Sequence, residues 1–312
     1  MALSGCARFA SAGQSDPGEN PSQGVIIDPL GGSPPPTFFK PASPLREATP
    51  LPSLITPEPS PTVPSATPTI PTFTPTLEPS PTLTPTWSFQ EAGYVNAPVL
   101  LYHHISDDNP WNRYYVTVKD FRRQMKYLHG HGYTTIPISQ LVEVLIHGGE
   151  LPSRPIVITF DDGDLDVYQN AYPIMQEFGM VGVLYIVANR LESQYYMNAD
   201  QLRELTNAGW EIGSHGMSHI DLTVNHDLVR QEILQSRLDL ENILGVPVKT
   251  FAYPFGMADD YIYEKTQDYG YRAGAGLGTS SEHYWSTMYY LSRKEVHDDF
   301  TIEDFASLLP WQ

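Results

Sequence analysis

From Tyr94 onward, short apolar runs alternate with stretches in which apolar residues recur every three or four positions. Pro98 to Tyr102 reads as a strand, and Phe121, Met125 and Leu128 mark one face of a helix. A strand near Tyr133 to Ile136 follows, then a helix from Gln140 to Ile146 with Ser139 as its N-cap. Ile156 to Phe160 and Val181 to Val187 are almost wholly apolar, which predicts fully buried strands, and each leads into a helical pattern, Val167 to Phe178 and Gln201 to Ala208. Trp210 to Gly213 predicts a short strand, Leu228 to Leu244 one long amphipathic helix, Lys249 to Tyr253 a strand and Tyr261 to Tyr269 a helix. Strands at Tyr271 to Ala275 and Leu291 to Val296 and a helix at Ile302 to Leu309 end the series. Buried strands alternating with helices specify an α/β fold with a parallel sheet. About seven such units favour a closed or nearly closed β/α barrel over an open sheet, with chemistry at the strand C-termini.

The first 90 residues have no such periodicity. They hold 20 of the 29 prolines, none of the ten histidines and only nine charged residues, so they lack the composition of a packed domain. Residues 49 to 86 repeat proline among threonine and serine every two to four positions, the pattern of a polyproline-II stalk that extends about 3.1 Å per residue and reaches on the order of 100 Å. Its hydroxyls offer sites for glycans, and a passive spacer is the alternative. The expected division is residues 1–6 as a short leader remnant, 7–93 as a Pro/Thr/Ser-rich linker, and 94–312 as one folded domain.

The one cysteine, Cys6, rules out disulfide frameworks and cysteine chemistry in the folded part. Leu3-Ser4-Gly5-Cys6 resembles the lipobox of bacterial lipoproteins. Met1 to Gly5 then read as the remnant of a signal, and Cys6 becomes a lipid anchor at an extracellular cell surface. No run approaches the roughly 18 apolar residues of a membrane span. The net charge is −18, and removing the three basic and six acidic residues of 1–90 leaves 15 basic and 30 acidic on the remainder. A field of that sign disfavours nucleic acid. A monomer is the expectation.

The reactive residues fall at the predicted strand tips. Ile156 to Phe160 ends in Asp161-Asp162-Gly163, and Trp210 to Gly213 ends in Ser214-His215-Gly216-Met217-Ser218-His219. Alone, paired aspartates often cap a helix, and two histidines four apart are often solvated. Together, one carboxylate and two imidazoles form a three-ligand metal set with positions left open, and the other carboxylate is free to act as a base.

TFDDG, SHGMSH and FAYPFG (Phe251 to Gly256) stand in the order and spacing of the polysaccharide deacetylase family, the NodB-homology domain of carbohydrate esterase family 4, which the chain resembles from about Ala97 to Pro310. Leu100-Leu101-Tyr102-His103-His104-Ile105 and the FAYPFG form are similar to the poly-N-acetylglucosamine deacetylase branch. The resemblance implies a distorted (β/α)7-type barrel and metal-dependent removal of N-acetyl groups from an amino-sugar polysaccharide. It implies that Asp162, His215 and His219 bind one divalent ion, zinc by default with nickel, cobalt or iron also compatible. Asp161 would take a proton from the attacking water, and the Phe255 N–H would meet the oxyanion.

Two departures follow. The family's arginine two positions before the proline of the third motif is Ala252 here, and Arg293 is the candidate substitute beside the reading of a plain surface arginine. The family's usual general acid is a histidine near the last strand. His297 has that position, with His103 competing for the role. Asp166 is read as a helix cap, and Asp221 as orienting a ligand histidine or capping a turn. Tyr195, Tyr196, Trp285, Tyr289 and Tyr290 are candidate sugar platforms, and His129, His131, His147, His226 and His283 are read as surface residues. An O-acetyl esterase of the xylan type and a non-catalytic carbohydrate-binding module on the same fold are the competing functions.

Overall fold

The computed structural model describes residues 85–311. The proline-rich stalk up to residue 84 and the lipobox-like Cys6 lie outside the described residues. Seven strands form the main sheet in the order Ala273–Ala275, Thr250–Ala252, Glu211–Ser214, Val183–Ile186, Pro155–Phe160, Val99–Tyr102, Lys294–Glu295, every neighbouring pair parallel. Thr134–Thr135 adds a short parallel partner at the start of Pro155–Phe160. The two ends of this path meet. The Leu291 N–H donates to Gly274 O at 2.8 Å and the Gly278 N–H to Arg293 O at 2.9 Å, while on the other side the Val296 N–H donates to Leu101 O at 2.9 Å. Residues 291–296 are thus bonded along both edges and close the distorted barrel that the alternating pattern predicts.

Strand residues alternate between two apolar layers, as their period of two requires. Leu100, Tyr102, Ile158, Phe160, Leu184 and Phe251 pack outward beneath helices that include Val118–Gly130, Ala199–Asn207 and Ser236–Leu244. Val99, Val157, Val183, Tyr185, Ala252 and Leu291 form a second core, which joins Val95, Leu151 and the helix Ile138–His147. On Pro155–Phe160 the residues of that inner face run Val157, Thr159 and then Asp161, so the alternation that buries the strand delivers a carboxylate at its tip.

Several expected boundaries move for physical reasons. Order begins before Tyr94, because Trp87–Gln90 pairs antiparallel with Gly149–Pro152. Ser139 is not the cap of its helix: Ile138–His147 starts after Pro137, and the Ser139 N–H donates to Glu211 Oε2 at 2.9 Å. The span Val167 to Phe178 is a π turn, Val167–Ala171, running into an α-helix, Tyr172–Glu177, where Pro173 has no N–H to give back. Leu228 to Leu244 likewise divides into a 3₁₀ turn, a π segment Arg230–Gln235 and an α-helix Ser236–Leu244. Carbonyls of that π segment take outside donors: Ser236 Oγ donates to Glu232 O at 2.5 Å and Tyr271 Oη to Ile233 O at 2.9 Å. His283 is buried rather than at the surface. Its Nε2 lies 3.0 Å from Ala97 O, and burial lowers its pKa to about 4.

Candidate active site

Asp161 ends the strand Pro155–Phe160 at 2% exposure, its N–H donating to Tyr102 O at 3.0 Å. Arg293 reaches it from the closing segment and is itself buried. Nη1 donates to Asp161 Oδ1 at 2.6 Å, Nη2 to Oδ2 at 2.8 Å and Nε to Gly276 O at 3.0 Å, and the guanidinium stands 5.2 Å from the centre of the Tyr185 ring. Burial pushes the Asp161 pKa upward, but the Arg293 charge and its hydrogen bonds outweigh it, with His215 adding to them, and hold the pKa down at about 2.

Asp162 follows with φ of 71°, so the chain reverses and the second carboxylate separates from the first. Its Oδ1 accepts from Arg190 Nη1 at 2.7 Å and lies 3.6 Å from His219 Nε2. His215, at 2% exposure, has Nδ1 2.8 Å from Ala252 O. A carbonyl only accepts, so Nδ1 carries the proton and Nε2 presents its lone pair. Burial lowers the His215 pKa, which favours the neutral ligand form. Ligand atoms of Asp162, His215 and His219 all fall within 4.8 Å of one another. Two bonds of about 2.1 Å put tetrahedral neighbours about 3.4 Å apart, so the donor set fits a single ion with little movement.

Four non-glycine residues among those described have positive φ, and three of them, Asp162, His219 and Phe255, are in this site. Each such residue costs on the order of 1–3 kcal/mol that the surroundings must offset, a concentration typical of functional sites. Phe255, at φ 59°, lines the cleft with its ring centre 4.6 Å from that of His219.

Asp161, Asp162, His215, His219, Phe255, Arg293 and His103 all line one cleft. The His103 ring lies 4.6 Å from Tyr114, and burial lowers its pKa against the opposing charges of Asp161 and Asp162. His297 does not line this cleft. It borders an adjoining cavity with Lys294 and Phe300, its Nε2 2.6 Å from Arg113 Nη2. Asp166 makes no capping bond; its Oδ2 lies 2.7 Å from His104 Nδ1 and its Oδ1 accepts the Ile105 N–H at 3.2 Å. Asp221 caps a turn, accepting the Thr223 N–H at 2.9 Å. Among the aromatic candidates, Tyr195 and Trp285 are exposed, and Tyr196 joins Tyr195 in a depression beside Arg190. Tyr289 and Tyr290 are tied down, their hydroxyls donating to Tyr271 O at 3.1 Å and Gly256 O at 2.8 Å.

Arg190, the carbonyl of Ala252 and the loop residues Asn112, Arg113 and Tyr114 also belong to the site and were not expected there. Arg190 carries no motif, and a backbone carbonyl leaves no trace in a sequence. The loop offered one signal, since it follows directly on the His103-His104 strand end.

Residues 148–274 match the family model for polysaccharide deacetylase, a span that contains all three motif loops and leaves His103 and Arg293 outside it. YxkH of Bacillus subtilis, whose name places it among polysaccharide deacetylases, is 27% identical over 213 residues, which cover 68% of this chain and 75% of that protein. A poly-beta-1,6-N-acetyl-D-glucosamine N-deacetylase of Staphylococcus aureus is 24% identical over 212 residues, 63% of this chain and 73% of the relative. The crystal structure of a polysaccharide deacetylase from Bacillus cereus superposes with a TM-score of 0.62 at 25% identity, covering 69% of each chain. Barrel, motif loops and relatives agree in making this chain similar to the polysaccharide deacetylases, a family of hydrolases.

Proposed function

We propose that this protein is a metal-dependent hydrolase that removes N-acetyl groups from an extracellular N-acetylglucosamine polymer. The observation that carries the reading is the pairing, in one cleft, of a buried carboxylate locked in its ionised form with a separate Asp-His-His set of metal-ligand spacing. Asp162, His215 and His219 would hold the ion. Bound there, a divalent metal supplies Lewis acidity that acidifies water and polarises an acyl oxygen; zinc suits the donor set, and nickel, cobalt or iron are compatible.

The remaining steps belong to the chain. Asp161 takes the proton from the attacking water, with Arg293 keeping the carboxylate ionised and aimed. Phe255 donates its N–H toward the oxygen that gains charge. His103 returns a proton to the leaving amine; its place in the cleft favours it over His297. The cleft measures about 330 Å³, at the lower end of small-ligand pockets, which suits one reacting sugar with the rest of the polymer outside. The relative from Staphylococcus aureus supports the choice of polymer. A lipid on Cys6 and the proline-rich stalk would hold the catalytic domain, acting as a monomer, at the cell surface.

Acetate release from N-acetylglucosamine oligomers, measured before and after chelation and with divalent metals restored, tests this reading. Release abolished by chelator and restored by metal is expected. Release only from acetylated xylan would replace it with the O-acetyl esterase, and metal binding with no release from either substrate would favour the binding module.

A further inference from the structure

The loop carrying both candidate ligand histidines is held by hydrogen bonds on several sides, and three of them go to one side chain outside every motif. The His215 N–H donates to Ile186 O at 2.8 Å and the Gly216 N–H to Ser214 Oγ at 3.2 Å. The next two N–H groups, of Met217 and Ser218, both donate to Glu232 Oε2, at 2.8 and 2.9 Å, and Ser218 Oγ donates to Glu232 Oε1. On the other side Ala188 and Asn189 donate to Gly216 O at 3.0 Å and Met217 O at 2.9 Å.

Glu232 is 2% exposed and, among the described residues, its carboxyl group pairs with no lysine or arginine and takes three donors from the loop. That arrangement costs desolvation unless every lone pair is well used. The local backbone is shaped to permit it. Glu232 lies in the π segment Arg230–Gln235, an inserted turn of the kind that redirects a side chain, and Gly216 passes so close that a Cβ there would sit 2.9 Å from Glu232 Oε2. The loop it grips ends in His219 at φ 59°, a conformation that does not persist without such support.

We propose that Glu232 is a positioning residue that sets the spacing of His215 and His219 and thereby the metal affinity of the site. This rests on the metal-site reading above and extends it to a residue with no direct contact to the ion.

The test is calorimetric titration of the chelator-stripped full chain with zinc, with the visible absorption of the cobalt-loaded protein as an independent report on ligand geometry. Glu232→Ala is expected to weaken zinc binding by about 10- to 100-fold, the usual cost of removing a group that orients metal ligands, and to change the cobalt spectrum. Glu232→Gln keeps the geometry, because its carbonyl oxygen accepts both N–H groups and its amide donates to Ser218 Oγ; it should bind within about threefold of the parent. Ser218→Ala removes one of the three donors and is expected to fall between them, and it serves if Glu232→Ala does not fold. Affinity within twofold and an unchanged cobalt spectrum in Glu232→Ala overturns the proposal, as does a loss in Glu232→Gln equal to that in Glu232→Ala. No zinc binding by the parent protein would instead overturn the metal-site reading itself.

Discussion

Replacing Arg293 with alanine should cost stability in a way that depends on pH, and the structure sets both sign and size. Asp161 has its pKa lowered from 3.8 to about 2 by the guanidinium, so in the parent protein the pair contributes about 2 kcal/mol that is fully present above pH 3.8 and fades as pH falls toward 2. Removing Arg293 strips both carboxylate oxygens of their charged donors and leaves Asp161 at 2% exposure with burial unopposed by its main partner. An uncompensated buried charge of this kind costs about 3–5 kcal/mol. The Asp161 pKa in the variant then rises above its ordinary value, so the charge is lost on mild acidification and the penalty shrinks. Denaturant unfolding of the chelated proteins from pH 8 to pH 4, followed by tryptophan fluorescence, should show the variant about 3–5 kcal/mol less stable at neutral pH and the gap narrowing toward pH 4. Adding Asp161→Asn to Arg293→Ala should recover part of the loss, because the second change removes the orphaned charge. A gap under about 1 kcal/mol at pH 7, or one of constant size across the range, would refute the account of Arg293 as the partner that keeps Asp161 ionised.

The other expected outcomes separate the roles within the cleft. Asp161→Asn should keep zinc affinity within a few-fold while turnover drops by at least about 10²-fold, whereas His215→Ala should lose the metal itself; calorimetry and acetate release on the same preparations distinguish them. His103→Gln should lower turnover by about 10²-fold or more with metal retained, and His297→Ala should stay within about twofold, since its ring lies outside the cleft. Ala252→Arg, placed in the Arg293→Ala background, should restore part of the lost stability and turnover, because position 252 faces the same interior as Arg293. Stability and turnover no better than those of Arg293→Ala alone would show that the two barrel walls are not interchangeable supports.

The reach of the sequence followed from which interactions are local. Strands such as Pro155–Phe160 and Val183–Ile186 are legible because burial on both faces makes them almost wholly apolar, and the carboxylates and histidines are legible because they lie just past the ends of Pro155–Phe160 and Glu211–Ser214. The helices that broke expectation, after Val167 and within Leu228 to Leu244, contain π segments. One inserted residue lengthens an apolar spacing of three to four, which is still a helical spacing, so the periodicity that announces a helix does not report the insertion. Chain-distant contacts divide the same way. Arg293 could be named only because a family position was vacant at Ala252, while Arg190 on Asp162, 28 residues apart, had no vacancy to announce it.

The vacancy at Ala252 and the presence of Arg293 have a single geometric explanation. Ala252 lies on the inner face of the strand Thr250–Ala252, next to Ala275, and Ala275 in turn bridges to Leu291 across the barrel seam. Leu291, Arg293 and Glu295 alternate inward along that seam, so the arginine comes two residues beyond the bridge, level with the Gly276 carbonyl that takes its Nε and within reach of Asp161. Ala252, Ala273 and Ala275 leave this wall almost free of side-chain volume, and the large guanidinium occupies the interior beside it. The proposed base is therefore held by the segment that closes the barrel. Its ionisation depends on closure of the fold: were residues 291–296 to detach, Asp161 would lose both guanidinium hydrogen bonds at once, together with the field that keeps its pKa near 2. A carboxylate supported from a motif loop would be coupled to that loop alone. In this chain the proposed proton acceptor and the completed barrel form together, so on that assignment activity depends on the last segment of the barrel to be added in sequence.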